Sequence, residues 1–434
     1  MAGAERPALT GAREASRRAV EAVWRIESAR IVAALARHTG DFGLAEDAAQ
    51  EALAEAVDGW PRHGIPSNPG AWLLTVARRR AIDALRRRSA LDARYATLAH
   101  GLGAGQATSG APPADDTDEP WDPDAVDDDV LALMFIACHP VLSPEARVAL
   151  TLRVVGGLST DEIARAFLVP RATIQARITR AKKTVGAAGV PFALPPPEDR
   201  RARLGGVLNV LYLVFTEGST ATGGPDLLRP DLAYEAVRLT RVLVRLLPDE
   251  PEIHGLLALM ELTAARFPAR TGPDGDVVLL EDQDRRRWDR RAIARGQAAL
   301  ARGAGEGRGL GPYGLQAAIA ACHAAAPSVE ETDWHTIVVL YEALGRVAPS
   351  PVVDLNRAVA VAMTQGPAAS LDIVDDLVAG DRLPGSHLVP SVRGELLARL
   401  GRTDEAHDEL ERAATLCANP RERDLLRRKA AQLR

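Results

Sequence analysis

The stretch from Arg171 to Thr184 carries side chains whose types and spacing suit contact with a DNA duplex. A helix turns by about 100° per residue, so Ile174, Ile178 and Ala181 would share one side, which we predict to be buried. Small residues opposite them allow close approach to base edges, and the neighbouring amide and cationic groups reach bases or phosphates. The predicted DNA contacts are Arg171, Ala172, Thr173, Gln175, Ala176, Arg177, Thr179, Arg180, Lys182 and Lys183, with Arg177, Lys182 and Lys183 assigned to phosphates.

A second helix is needed to hold this one in place. Ser159 and Glu162 have the spacing of a capping box, in which each side chain accepts a hydrogen bond from the backbone amide of the other residue. The box predicts a helix over 161–167, and Leu168 to Pro170 then form a turn. We interpret the pair as a helix-turn-helix. The alternative is a basic, solvated helix in an all-helical protein.

A further cationic helix is predicted from Gly70 to Arg88. Its apolar stripe contains Leu74, Ala77, Ala81 and Leu85, with arginines on the opposite face. The chain as a whole has a formal net charge of -5, so this local concentration of positive charge indicates a polyanionic partner. The predicted contact residues of this helix are Arg78, Arg79, Arg80, Asp83, Arg86 and Arg87.

Composition limits the fold and the class of protein. The length of 434 residues suggests about three domains, and the near absence of strand-type alternation predicts an all-α protein. The three cysteines, Cys138, Cys322 and Cys417, lie far apart without a CxxC pair, so we expect neither disulfides nor a metal or cofactor. We find no signal peptide and no apolar run long enough to span a bilayer, so we expect a cytoplasmic protein with no membrane partner.

Three ordered blocks of sequence resemble conserved regions of the bacterial extracytoplasmic-function (ECF) sigma factors. Residues 45–51, AEDAAQE, are similar to one helix of that family, and residues 69–74, PGAWLL, with 81–87, AIDALRR, resemble its promoter-melting helix. Residues 142–183 resemble its C-terminal conserved region, including Glu162-Ile163-Ala164 and Arg180-Ala181. The chain departs from the family at Arg80, often asparagine, and at Pro170, often serine.

The resemblance implies a promoter-specificity subunit of bacterial RNA polymerase, with no enzymatic activity of its own. It assigns the helix starting at Arg171 to the -35 element of the promoter. It assigns the helix over Gly70–Arg88 to the -10 element, where duplex opening exposes the non-template strand. In the family, the loop equivalent to residues 60–69 holds a flipped base, and Ser67 and Asn68 are the polar candidates here. Turn chemistry alone also explains both residues.

An amphipathic helix predicted over Leu44–Val57 exposes an acidic face, which without the resemblance would be an ordinary solvated charge run. The resemblance assigns this face to the RNA polymerase core, whose β′ clamp helices and β flap are the implied partners. The predicted polymerase contacts are Glu46, Asp47, Gln50, Glu51 and Trp72.

The predicted domain order is a sigma region 2 domain (10–95), an acidic flexible linker (96–126), a sigma region 4 helix-turn-helix domain (127–190) and a helical extension (198–434). The linker is rich in glycine, then proline, then acids including Asp115, Asp116, Asp118 and Glu119. It has three interpretations: a solvated tether, an occupant of the RNA channel of the polymerase, as the resemblance implies, or a cover for the arginines of 79–88. We favour a tether that occupies the channel.

Beyond Val190, ten predicted helical segments joined by short turns indicate an α-solenoid, and the last segment resembles a tetratricopeptide (TPR) unit ended by Asn419-Pro420. Residues 276–291 resemble a signature of the sigma-factor group with a long helical C-terminal extension. The acids Glu281, Asp282 and Asp284 lie beside arginines, so ion pairs explain them more simply than a metal. The concave face of the solenoid is the expected contact for a regulatory protein.

Two functions therefore remain. The first is an ECF-type sigma factor with a regulatory solenoid, and the second is a stand-alone helix-turn-helix regulator with a sensing solenoid. A classical repressor needs neither the acidic helix nor the melting helix, so the sequence favours the sigma factor.

Overall fold

The computed structural model describes residues 5–101, 123–221, 226–273, 275–305 and 307–433. Within these ranges the chain forms 18 α-helices, and the only β pairing is one isolated antiparallel bridge between Thr271 and Val277. The prediction of an all-α protein is confirmed for this part of the chain. The helices fall into two compact units, Met1–Arg165 with Val169–Val210, and Ala166–Leu168 with Leu211–Arg434.

The first unit begins with three long helices that pack on one another, followed by a group of shorter ones. Apolar residues of the first helix, Val20, Trp24 and Ile31, lie in its core. The helices are α1 (Glu5–Thr39), α2 (Phe42–His63), α3 (Pro69–Gly101), α4 (Pro123–Ala137), α5 (Pro144–Val154), α6 (Thr160–Phe167) and α7 (Arg171–Ala187), and α8 (Pro197–Ser219) crosses into the second unit. In addition, α4 packs against α1 and α5, and α7 packs against α5 and α2.

Two helices of this unit are longer than predicted. Helix α2 continues through Pro61 to His63, so the predicted loop over 60–69 shrinks to residues 64–68. Pro61 is accommodated in the last turn of the helix, and Gly64, with a φ of 86°, ends it by donating its amide to the carbonyl of Trp60. Glycine suits this position because it adopts a positive φ without a steric penalty.

The predicted linker is also shorter than expected. Helix α3 extends to Gly101 and α4 begins at Pro123, so both ends of the segment 96–126 are helical. The linker acids Asp115, Asp116, Asp118 and Glu119 lie outside the described residues.

The buried face of α3 is rotated slightly from the predicted one. Ala77 and Ala81 are buried as expected, but Leu73 and Val76 complete the stripe, whereas Leu74 and Leu85 are only half-buried. The difference arises because α1 and α2 both pack against α3, so the positions of these two helices, and not the apolar pattern of α3 alone, determine which of its residues are buried.

The second unit is a succession of shorter helices. From α12 to α18, each helix packs against the next one along the chain, which is how helix pairs stack in a solenoid. The helices are α9 (Pro230–Leu246), α10 (Pro251–Ala264), α11 (Arg290–Gly305), α12 (Pro312–Ala325), α13 (Trp334–Val347), α14 (Pro351–Thr364), α15 (Pro367–Ala379), α16 (Leu388–Arg399), α17 (Thr403–Leu416) and α18 (Pro420–Ala431).

Helix α17 ends at Leu416, close to the predicted end before Asn419-Pro420, but the sequence analysis missed that these two residues begin a further helix. Asn419 is the N-cap of α18: its side-chain oxygen accepts from the amides of Arg421 and Glu422, at 2.9 and 3.4 Å. Pro420 occupies the first position of that helix, where the missing amide costs nothing. Asn419 is buried, and its side-chain nitrogen donates to the carbonyl of Ala221 at 2.9 Å.

Across the described residues, no helix is both long and apolar enough to cross a membrane.

Candidate nucleic-acid interface

Helices α6 and α7 form the predicted helix-turn-helix. The amide of Ser159 donates to the Glu162 carboxylate at 2.7 Å, and the Glu162 amide donates to the Ser159 hydroxyl at 3.2 Å, which confirms the capping box. Burial alone would raise the pKa of Glu162, but the bonds from Ser159 and Arg25 lower it overall. The turn uses Leu168 at a φ of 51°, and Pro170 precedes α7 without a side-chain cap.

Helix α7 has the two faces that its sequence predicts. Ile174, Ile178 and Ala181 are buried together with Val185. The outward-facing residues include small, amide and cationic side chains: Arg171, Ala172, Gln175, Ala176, Thr179, Arg180 and Lys183 are exposed, and Thr173 and Arg177 are half-buried. The small side chains leave room for the wall of a DNA groove to come close to the helix axis, and the amide and cationic side chains place hydrogen-bond donors around that space.

Lys182 does not lie with the exposed residues of α7. Its ammonium group donates to the carboxylates of Glu46, at 2.7 Å, and Asp47, at 2.6 Å, both on α2. Burial alone would lower the pKa of Lys182, but the two carboxylates outweigh that effect and raise it. In this arrangement Lys182 is unavailable for the phosphate contact that the sequence predicts.

The cationic face of α3 is exposed as predicted. Arg79, Arg80, Asp83, Arg86 and Arg87 are exposed, and Arg78 is half-buried. Arg80 donates to Glu55 at 2.8 Å and lies 3.8 Å from Glu51, both on α2. One predicted DNA contact is therefore tied to one predicted polymerase contact, and Arg79, Arg86 and Arg87 remain as the outward-facing cations of this face.

The loop before α3 holds the two polar candidates for a flipped base. Ser67 and Asn68 are both exposed. The side-chain oxygen of Asn68 accepts from the amide of Ala71 at 3.1 Å and so caps the start of α3. Turn chemistry therefore accounts for Asn68 in this structure.

The acidic face of α2 differs from the prediction at one residue. Asp47 and Glu51 are exposed and Gln50 is half-buried, but Glu46 is buried, with 3% of its surface accessible. The guanidinium of Arg153 on α5 donates to one of its carboxylate oxygens at 3.2 Å, and Lys182 donates to the other. The prediction that Glu46 is exposed is wrong because α5 and α7 cover this end of α2.

Trp72, the remaining predicted polymerase contact, is half-buried at the start of α3. Its ring lies 5.6 Å from that of Trp60 in an edge-to-face arrangement, so part of its surface is committed to the end of α2.

Sequence reasoning missed Arg153. It lies in the last turn of α5, and its partner Glu46 is 107 positions away, so no local pattern indicates the pair. Arg25 on α1 was likewise unassigned, and it donates to Glu162 at 2.5 Å. Together with Lys182, these residues join α1 and α2 to α5, α6 and α7 by ion pairs.

Cys138, one of the three cysteines, lies in the core beside α5. Cys138 is buried beside Thr151, with 3.3 Å between sulfur and hydroxyl oxygen. Burial raises the pKa of its thiol to about 11, so the thiolate is scarce at neutral pH.

Asp284 of the predicted acidic cluster pairs with Arg286 at 2.9 Å, as the ion-pair interpretation requires.

Family models match three parts of the chain. Sigma-70 region 2 matches residues 25–90, and Sigma-70, region 4 matches residues 132–185. A family of unknown function, DUF6596, matches residues 203–304. The first two matches contain the cationic face of α3 and the helix-turn-helix, and the third lies in the C-terminal part.

Relatives match both the whole chain and its first part. The uncharacterized protein R00370 of Rhizobium meliloti is 45% identical over 406 residues, which is 91% of each chain. The probable ECF RNA polymerase sigma factor SigI of Mycobacterium tuberculosis is 27% identical over 181 residues, 42% of this chain and 59% of that protein. No solved structure matches the chain. The match to region 2 contains the arginine-rich helix α3, and the match to region 4, later in the chain, contains the helix-turn-helix. The chain therefore belongs to the ECF-type sigma factors, and it carries a C-terminal extension that contains the match to DUF6596.

Proposed function

We propose that this chain directs the bacterial RNA polymerase core to specific promoters through two separate DNA contacts and aids promoter opening. Sigma factors bind core polymerase and promoter DNA as a family, and the finer assignments below rest on the surfaces that this chain exposes. The observation that carries the proposal is the presence of two exposed cationic helix faces, on α3 and α7, in a chain with a formal net charge of -5.

Helix α7 is proposed to enter the major groove of the -35 element. Gln175 and Thr179 lie on its exposed face, where the small side chains of Ala172 and Ala176 let the backbone approach the bases. An amide side chain can bond adenine through two atoms, so Gln175 is the best placed residue for base selection. Lys183, exposed one turn further on, is proposed to hold a phosphate.

Helix α3 is proposed to hold the -10 region. Its exposed arginines, Arg79, Arg86 and Arg87, attract the phosphates of both strands. Ser67 and Asn68 lie in the loop at its start, so the non-template strand would pass close to them once the duplex opens. The exposed hydroxyl of Ser67 is the more available of the two, because the Asn68 oxygen caps α3.

The exposed part of the acidic face of α2 is proposed to bind the β′ clamp helices, and the region 4 domain to bind the β flap. Asp47, Gln50 and Glu51 supply the polar groups, and Trp72 presents a half-buried ring at the start of α3. The C-terminal extension is proposed to regulate activity or to bind a regulatory protein. Its support is that 102 matched residues form a helical part distinct from both sigma regions.

Promoter-directed transcription tests the proposal. Purified bacterial core polymerase is incubated with promoter templates and either the full chain, a truncation ending near Leu194, or no added protein. Transcripts with defined start sites that require the full chain support the proposed function. If the truncation is silent, the extension is a positive element, and if it is more active, the extension is a brake. Tight duplex binding without any transcript would favour a stand-alone regulator.

A further inference from the structure

Ion pairs connect sigma regions 2 and 4 at the surface of α2 that is proposed to bind polymerase. Glu46 has both carboxylate oxygens occupied by region 4, one by Arg153 at 3.2 Å and the other by Lys182 at 2.7 Å. Asp47 accepts a second bond from Lys182 at 2.6 Å. The carboxylates expected to meet polymerase therefore bond a domain of the same chain.

Further contacts join the same two regions. Arg25 on α1 donates to Glu162 of the helix-turn-helix at 2.5 Å. Gly157, in the loop before α6, has a φ of 70° and comes so close to α1 that a Cβ at this position would lie 2.6 Å from the hydroxyl oxygen of Ser28. A glycine is required there both by the dihedral angle and by the close approach.

One part of this contact is polar and incompletely packed, whereas elsewhere the apolar helix α4 packs directly against α1. In the polar part, a cavity of about 570 Å³ has Trp24 and Leu53 on the region 2 side and Arg153 and Arg165 on the region 4 side. The indole nitrogen of Trp24 is buried with no hydrogen-bond partner among the described residues. The part held by ion pairs around a cavity is easier to open than a densely packed apolar core.

The distance between the two promoter elements requires the contact between regions 2 and 4 to open. Elements centred about 25 base pairs apart are separated by about 85 Å along B-form DNA. A compact unit of about 200 residues has a radius of gyration of about 17 Å and measures roughly 45 Å across. Helices α3 and α7 cannot reach both elements while they belong to one such unit.

We propose that the free chain is held in a closed state in which region 4, through Arg153 and Lys182, occupies the polymerase-binding acidic face of α2 and must be displaced by core polymerase. The inference rests on the proposed function. Region 4 is thus an intramolecular competitor of the polymerase, and one opening event exposes both the acidic face and Lys182. The apparent affinity for core polymerase is then reduced by the fraction of chains that are closed.

Replacing Arg153 tests the closed state without touching a residue assigned to DNA or polymerase. Arg153→Ala leaves one oxygen of the buried Glu46 carboxylate without its partner, and the full-length variant is expected to bind core polymerase at least threefold more tightly. Arg147→Ala is the matched control, because Arg147 is also on α5 but bonds the carbonyls of Leu142 and Pro140, both within region 4. Its affinity should equal that of the wild type.

Gly157→Ala provides the second variant. At a φ of 70°, its Cβ would lie 2.6 Å from the hydroxyl oxygen of Ser28, so the substitution should push the two regions apart. The variant should bind core polymerase at least threefold more tightly, whereas Gly186→Ala, on α7 with open space around it, should bind as the wild type does. Unchanged affinity in both Arg153→Ala and Gly157→Ala overturns the closed state. Absence of core binding by every form, wild type included, refutes the proposed function itself.

A separate observation concerns the end of the chain. His387 precedes α16, Cys417 follows α17, and Glu422 lies in the first turn of α18, yet their ligand atoms all lie within 4.8 Å of one another. The His387 nitrogen is 3.8 Å and the Cys417 sulfur is 3.7 Å from the same carboxylate oxygen of Glu422. Tetrahedral zinc with bonds of about 2.0–2.3 Å places such ligand atoms about 3.3–3.6 Å apart. The two distances to Glu422 exceed this range by a few tenths of an ångström, and the distance between His387 and Cys417 is within 4.8 Å.

We infer that His387, Cys417 and Glu422 form a zinc site that ties together the ends of three helices in the C-terminal extension. A thiolate with an imidazole selects zinc over magnesium or calcium, and a water completes the coordination. The ligands come from segments that meet only when the last helices pack, so the ion would fix their arrangement.

Zinc binding by the metal-stripped full chain is measured in competition with a chromophoric chelator. We expect one equivalent to bind, and Cys417→Ser and His387→Gln each to weaken binding at least tenfold. Cys322→Ser is the control, because this half-buried cysteine belongs to α12 and should leave zinc binding unchanged. Replacing zinc by cobalt should produce a thiolate-to-metal absorption band that Cys417→Ser abolishes. Failure to bind one equivalent, or equal binding by Cys417→Ser, overturns the site.

Discussion

Lys183→Ala gives a quantitative test of how α7 meets DNA. Lys182 and Lys183 are adjacent, but Lys182 is bonded to two carboxylates on α2, whereas Lys183 is exposed on the face with Gln175 and Thr179. If that face enters the major groove, Lys183 neutralises one phosphate. Removing it should weaken binding to every duplex, whatever the sequence.

The size of the effect follows from counterion release. One phosphate contact contributes about 0.9 to the slope of log K against log salt concentration for duplex DNA. At 0.1 M salt, measured from a 1 M reference, this corresponds to a loss of about eightfold in affinity, or about 1.2 kcal/mol. Gln175→Ala, by contrast, should change which promoters are preferred and leave the slope almost unchanged.

The assay is fluorescence anisotropy of a labelled duplex titrated with full-length protein at several salt concentrations. Arg287→Ala is the control, because it removes the same charge from an exposed position in the C-terminal extension. We expect the slope to fall by about 0.9 for Lys183→Ala and to stay constant for Arg287→Ala. Equal slopes for wild type and Lys183→Ala would show that this face of α7 does not lie on the DNA backbone.

Three further predictions concern the C-terminal extension. Gly255→Ala places a Cβ 2.6 Å from the amide nitrogen of Gly314 and should cost about 1–3 kcal/mol in thermal unfolding, whereas Gly205→Ala, with open space around it, should cost nothing. Asn419→Ala removes the cap of α18 and should lower the free energy of urea unfolding by about 1–2 kcal/mol; an unchanged midpoint contradicts this. Burial, together with two nearby arginines, lowers the pKa of His323 to about 4. Because the unfolded chain binds the proton first, stability should fall by roughly 2 kcal/mol between pH 6.5 and 4, a loss that His323→Leu should largely abolish.

The helix-turn-helix could be predicted because its signals are local. The Ser159–Glu162 box spans three residues, and the buried positions Ile174, Ile178 and Ala181 follow the helical period. Short-range hydrogen bonds and the turn of a helix determine these features, so the sequence around them suffices.

The closed contact could not be predicted in this way. The sequence around Glu46 places it on the exposed, acidic face of α2. It is buried because Arg153 and Lys182, more than 100 positions later, complete its hydrogen bonds. Helix α18 was missed for a different reason: an Asn-Pro pair suits the end of one helix and the start of the next equally well.

Permanganate footprinting of promoter DNA tests the central claim most directly, because it detects unpaired thymines. With core polymerase and the full chain present, we predict reactive thymines in the -10 region that are absent with either protein alone. Replacing Arg79, Arg86 and Arg87 together by alanine should remove this reactivity without changing the fold. Protection of a fully paired duplex, with no reactive thymine in the presence of core polymerase, would contradict the account and indicate a stand-alone DNA-binding regulator.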